Sequence, residues 1–185
     1  MTSTVLTPVK WSVDRYHDMV TAGFLDDYRV ELLDGDIVEM PPVEPPHEGV
    51  GDAAIEHLRD RLGGRVLIRG GKAITLPTSE PLPDIAVVER RNYTDHHPYP
   101  ENIYLLIEIA NSRPERDTEG KRPIYARAGI TEYWVFDLVN DELRVFRDAV
   151  DGDYQRDITW ESDTIQMQAF PDVVLSVAAM RRLIA

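Results

Sequence analysis

The chain has 185 residues, 43% of them hydrophobic, which is the length of one domain with apolar material for a single core. Its formal net charge of -13 argues against a broad electrostatic footprint on nucleic acid and leaves a local basic patch or a metal-bridged contact as the routes to a phosphate. With 0 cysteines, disulfides and thiolate metal sites are excluded, as suits a reducing cytoplasm.

The opening MTSTVLTPVKW lacks a basic start followed by an apolar run, so no secretory signal is expected. No segment approaches the length of a bilayer span, so a cytoplasmic protein with no membrane partner is expected. Ser12 is placed to cap a helix over Val13 to Ala22, with Gly23 as its stop and Val13, Tyr16 and Val20 as its apolar stripe. YRVELLDGDIVEM predicts a hairpin about Asp34-Gly35. The proline-rich PPVEPPHEG continues neither strand. From Pro46 to Leu62, the residues Val50, Ala54, Leu58 and Leu62 recur at helical spacing, and Gly63-Gly64 end the segment.

RVLIRGGKAITL reads as two short strands around Gly70-Gly71, and the loop PTSEPLP leads to Asp84. IAVV and NIYLLIEIA are expected strands, the second central because its apolar run is nearly unbroken. The polar RRNYTDHHPYPE connects them. Pro114 is expected to start a helix reaching Arg127, with Gly129 near its end. TEYWVFDL is another central strand, ELRVFRD pairs with it through a turn at Asn140 and Asp141, and DYQRDITW adds an edge strand. VVLSVAAMRRLI fits either a helix or a strand followed by a helix.

This order predicts an α/β (α+β) fold, a mixed β-sheet flanked by helices. It is read as a single domain over 1–185, with 1–27 an N-terminal helical extension and 160–185 a C-terminal one. No glycine-rich phosphate loop follows a strand, which disfavours a nucleotide-binding P-loop.

The chemistry concentrates between Pro83 and Tyr125. Glu108 interrupts the apolar run IYLLIEIA, and a buried carboxylate needs a partner to offset its desolvation. Asp84 opens IAVV. A magnesium ion, with its taste for hard oxygen ligands and retained waters, supplies that partner for both acids. The competing uses are a strand-end acid facing solvent for Glu108 and a turn residue after proline for Asp84. Lys121 follows Asp117 by four residues and precedes Tyr125 by four, so the three share a helical face. There the ammonium would orient water, hold the phosphate or stabilise developing charge, or accept a proton if its pKa were lowered. Its competing use is a surface ion pair with Asp117. Arg61, Arg65, Arg69 and Lys72, then Arg90 and Arg91, are the densest basic groups and would guide a strand or strand end. His96 and His97 lack the carboxylate spacing of a zinc site.

The ordered set YRVELLDGDIVEMPPVEPPHEGV, PDIAVV and LLIEIANSRPERDTEGKRPIYARAGITEYWVFD resembles the Uma-type family of restriction-endonuclease-like proteins, within the PD-(D/E)XK nuclease superfamily. The resemblance spans about Tyr28 to Arg147. It implies a mixed sheet flanked by helices, with Asp84 as the first acid and Glu108 as the second, both binding a divalent metal for phosphodiester hydrolysis. Ala110 stands where the simplest pattern has lysine, and Lys121 in the following helix takes that part, as is common in the Uma-type family. Glu31, His47, Asp117 and Tyr125 match supporting positions: Glu31 toward the metal or its water, His47 toward substrate or a carboxylate, and Asp117 and Tyr125 beside Lys121. The expected activity is a magnesium-dependent endonuclease, with manganese as substitute and DNA as substrate, acting as a homodimer where both strands of a duplex are cut. The alternatives are a weak or inactive nuclease fold used as a nucleic-acid or protein binding module, and hydrolysis of another phosphate ester.

Overall fold

The structure, a computed structural model, describes residues 8–182. The first seven residues of the expected N-terminal extension, including most of the opening read for a secretory signal, and residues 183–185 of the C-terminal one lie outside the described residues.

Helix α1 (Val13–Thr21) starts at Ser12, whose hydroxyl accepts the Arg15 N–H at 3.3 Å. Of its expected stripe only Tyr16 is buried; Val20 is 47% exposed. The short helix docks along one edge, through Tyr16 OH to the Val30 carbonyl at 3.3 Å and His17 to Glu80 at 2.5 Å. Strands β1 (Val30–Leu33) and β2 (Asp36–Glu39) form the expected hairpin. Asp34 and Gly35 both have positive φ, as a two-residue turn of matching twist requires. Helix α2 (Pro45–Leu62) buries Val50, Ala54, Leu58 and Leu62 as their spacing predicts, and Gly63 ends it.

Six further strands form the main sheet: β3 (Val66–Gly70), β4 (Ile85–Glu89), β5 (Ile103–Ala110), β6 (Glu132–Asp137), β7 (Glu142–Val150) and β8 (Asp153–Thr159), in that spatial order. Only β5 and β6 are parallel. A parallel pair needs a crossover, and the helical segment between them provides it. β5 is therefore central, and β8 is an edge, as expected.

Two expectations change, and an open one is decided. No second strand follows Gly71; the chain turns there at φ 56, the Gly71 N–H bonds the Asp84 carbonyl, and Ile74 N–H bonds Pro81. The segment thus folds onto the loop before Asp84, and β3 pairs with β4 instead. The crossover is not a plain α-helix: Arg116–Lys121 forms a π-helical turn before α3 (Arg122–Arg127), with Arg122 N–H bonded to the Asp117 carbonyl five residues back. Pro123 has no N–H for the Glu119 carbonyl and its ring crowds that carbonyl, so a widened turn relieves the conflict. The tail is a strand followed by a helix, β10 (Phe170–Ser176) and α4 (Val177–Arg181), and β10 pairs with the unforeseen β9 (Thr164–Met167).

Side chains alternate across the sheet. Ile85, Val87, Leu105, Ile107 and Ile109 pack on the face covered by α2 and the β9–β10 hairpin. Ala86, Val88, Leu106 and Ala110 pack on the other, under Tyr125 and Ala126 of α3. Among the described residues no helix is long and apolar enough to cross a membrane.

Candidate active site

Ile85 of β4 stands opposite Ile107 of β5, so Asp84, one residue before β4, falls across from Glu108. Alternation puts Glu108 with Leu106 and Ala110, on the face that α3 covers. The two acids share that face. The Asp84 N–H reaches Glu108 Oε2 at 3.3 Å, and Asp84 Oδ2 accepts the Ile109 N–H at 2.7 Å. His47, in the first turn of α2, meets the same Oδ2 through Nε2 at 2.9 Å.

Glu108 is 2% exposed, which removes the solvent-facing use of this acid. Its Oε1 takes Lys121 Nζ at 3.0 Å and Tyr125 OH at 2.7 Å. Lys121 is equally buried and also lies 3.2 Å from Glu31 Oε2. Glu31 in turn accepts Arg116 at 2.6 Å and the Leu82 N–H at 3.2 Å. With these partners around it, Glu31 holds Lys121 and Arg116 beside Glu108. Tyr125 supports Glu108 directly, where support of Lys121 was expected. Asp117 and Lys121 make no ion pair among the described residues, because the π-helical turn replaces the α spacing on which that pairing rests. Both are nonetheless buried and line the same cleft.

The electrostatics follow from this crowding. Burial raises the Glu108 carboxyl well above the usual range, against the pull of Lys121, and the charges of Asp84, Asp117 and Glu31 push it further. Burial raises Asp117 to about 6, with Lys121 and Arg116 opposing and Asp84 and Glu31 adding. Asp84 behaves oppositely. Burial disfavours its charge, but the His47 hydrogen bond and charge, the Ile109 N–H and Lys121 outweigh it and hold the pKa low. His47 is raised, since its bond to Asp84 overcomes burial. Burial also works against the Lys121 ammonium, yet Glu108, Glu31, Asp117 and Asp84 outweigh it and raise the pKa. The surrounding acids thus favour the charged ammonium over a proton-accepting amine.

These groups open on a cleft of about 540 Å³. Residues 39–44 line it, together with 109–113, Arg116 and Asp117. Arg29, Arg113 and Arg116 line it and were not singled out in the sequence. Arg116 was legible only as a neighbour of Asp117. The basic group that was singled out lies elsewhere: Arg61 bonds the Val174 carbonyl at 3.0 Å and Arg65 bonds Asp172 at 2.6 Å, both on β10. His96 stacks on Tyr99, away from the acids.

Among the described residues, no three His, Cys, Asp or Glu side chains are grouped to cage a metal. An ion here would be held by fewer side chains. Asp84 Oδ1 accepts no hydrogen bond from a described residue, while its Oδ2 is fully engaged. The acids that line or adjoin the cleft, Glu31, Glu39, Glu44, Asp84, Glu108 and Asp117, also outnumber its permanent cations Arg29, Arg113, Arg116 and Lys121. Oxygen donors with surplus negative charge fit a magnesium-type ion that keeps most of its waters.

The family model described as "Uma2: Putative restriction endonuclease" matches residues 13–178. Among solved structures, the chain is similar to one described as a putative nuclease belonging to DUF820 from Anabaena variabilis ATCC 29413. The TM-score is 0.70 at 14% identity, covering 94% of this chain and 98% of that one. At that identity the likeness speaks for the fold. No match was found among the curated proteins.

Proposed function

Because this chain belongs to the Uma2 family, described as a putative restriction endonuclease, we propose that the Asp84–Glu108 cleft hydrolyses phosphodiester bonds, with DNA as substrate. One observation carries the reading. Glu108, deep in the central strand, takes Lys121 and Tyr125 on one oxygen and lies beside the Asp84 backbone with the other. A carboxylate so expensive to bury is kept where it opens on a cleft.

Asp84 and Glu108 are the residues that would hold a divalent ion, magnesium or its substitute manganese. When bound, such an ion supplies charge to the phosphoryl oxygens and to the incoming water. The remaining work falls to the chain itself. His47 and the Ile109 N–H fix the Asp84 carboxylate so that Oδ1 is left to face a ligand. Lys121 donates to Glu108, forms an ion pair with Glu31, and has ammonium protons left for a phosphate oxygen or the charge that develops there. Glu31 and Arg116 hold that lysine in place. Asp117, raised to about 6, is the acid able to take a proton from water near neutrality.

A binding module with weak or lost chemistry is the second reading. It draws on Lys121 being held by two carboxylates and on the lack of a three-side-chain metal group among the described residues. Labelled DNA incubated with magnesium or manganese separates the two. The enzyme reading expects cutting that a chelator abolishes and that Glu108→Gln loses. Equal cutting by the wild type and Glu108→Gln would remove the assigned site.

A further inference from the structure

We infer that the centre is built for an unpaired polynucleotide strand, such as an overhang, flap or single-stranded segment, rather than for continuous duplex. The inference rests on the phosphodiesterase reading above and specifies its substrate.

Glu108 and Lys121 are almost fully buried, and the way to them is the cleft lined by residues 39–44 and by 109–113, Arg116 and Asp117. A reacting phosphate must descend between these walls. A flexible single strand can feed one phosphate and its flanking sugars into such a slot. A stiff duplex brings its second strand and both grooves with every phosphate. The cleft, about 540 Å³, falls in the range of pockets for single small ligands of nucleotide size.

The walls of the cleft are also joined. Asn111 Nδ2 donates to Glu44 Oε2, tying the end of β5 to the residue before α2. Arg29 reaches the Pro41 carbonyl at 3.5 Å, and the Met40 N–H bonds the Arg29 carbonyl at 2.8 Å. The proline-rich stretch is thus strapped at both ends beside the acids. Its prolines restrict the backbone, so yielding to a wide ligand is costly.

Duplex binding usually draws on many lysine and arginine contacts to phosphate. Here Arg65, Arg122, Arg127, Arg144, Arg156 and Arg181 are each paired with an aspartate. Arg116 is committed to Glu31. Beside Lys121 at the reacting phosphate, that leaves Arg29 and Arg113 as the cleft's cations for a backbone, enough for a short stretch of strand. A single strand also needs only one centre, so the homodimer expected for cutting duplex is not required.

The test compares, at one salt concentration and with magnesium or manganese, a single-stranded DNA, a single-stranded RNA, a blunt duplex and the same duplex with 3′ or 5′ overhangs. Glu108→Gln serves as control for contaminating nuclease. At least tenfold faster cutting of unpaired strands and overhangs than of blunt duplex is expected, and the DNA and RNA arms identify the sugar. Blunt duplex cut as fast as single strand would overturn the inference. If nothing is cut, the phosphodiesterase reading has failed, and affinity then decides the inference. Fluorescent strands titrated in calcium should bind at least tenfold tighter unpaired than paired, with Arg113→Ala weakening the unpaired strand. Equal affinities, tighter duplex binding or no binding would overturn it. Glu44→Ala, which cuts the strap, should narrow the preference; an unchanged ratio would remove the strap as its source.

Discussion

Two buried acids of this molecule make an instructive pair. Glu132, at the start of β6, is fully buried, with Arg147 Nε at 2.7 Å, Trp134 Nε1 at 3.0 Å and the Gln168 N–H at 2.7 Å. Burial raises its carboxyl and Arg147 opposes it. This is a closed set, one acid against one base, and it pins the β9–β10 turn to the sheet. Glu108 is buried to a similar degree, but it sits among Asp84, Asp117 and Glu31 with too few bases, and it lines a cleft. Burial of a carboxylate alone therefore does not mark a functional site. What separates Glu108 from Glu132 is imbalance of charge beside an opening.

The comparison breaks most sharply under the same substitution at both positions. Glu108→Gln is expected to slow cleavage by about a thousandfold, equal to about 4 kcal/mol of transition-state stabilisation. Its unfolding free energy in urea should stay within about 1 kcal/mol of the wild type, since a like-charge repulsion is relieved as an ion pair is lost. Glu132→Gln should do the reverse. It leaves the Arg147 charge poorly compensated and should lower stability by about 3 kcal/mol, with cleavage per folded molecule unchanged. If Glu132→Gln lost activity while keeping stability, the division between a lock and a centre would fail.

What was legible in the sequence follows the same division. The Asp34-Gly35 turn, the α2 stripe and the apolar run around Glu108 are local patterns, and each forms as its spacing predicts. The acids Asp84 and Glu108 were legible because a charge at the entry to, or inside, an apolar strand is conspicuous against its neighbours. The partners were not. Arg116 meets Glu31 across 85 positions, and Arg65 meets Asp172 across 107, so local charge density pointed to the wrong arginines. The π-helical turn was hidden because Pro123 was read as part of a regular helix. Strand β9 was hidden because TIQM is short and half polar, and its Gln166 carbonyl is held by Arg147 from the main sheet.

A smaller effect separates the two acid environments by pH. The folded Asp117 titrates at about 6 against an ordinary 3.8, so the folded chain holds this proton more tightly. As pH rises between these values the unfolded chain releases it first, and stability falls, then levels off above about 6. Asp117→Asn has no such proton to lose. Relative to the wild type it should gain on the order of 2 kcal/mol from pH 4 to pH 7, after allowance for lost attraction to Lys121. Urea unfolding at both pH values measures this. A difference that is flat with pH would mean that Asp117 is not held in the surplus of negative charge described here.

The smallest effect tests how Glu108 is tuned. Tyr125 is fully buried, packs edge-on against Tyr133 at 5.0 Å and donates to Glu108 Oε1. Burial, with the Glu108 charge adding, raises its own pKa well above the usual value, so the hydroxyl stays a donor. Tyr125→Phe keeps the ring and removes only that donor, at a cost of about 1 kcal/mol in stability. Because the bond favours the charged carboxylate, its loss should raise the proton affinity of Glu108 and move the part of the acid limb of the pH–rate profile that Glu108 sets, beside that of Asp117, to higher pH. An acid limb that stays in place, with the same loss of stability, would reduce Tyr125 to packing and leave Lys121 alone to set the charge of Glu108.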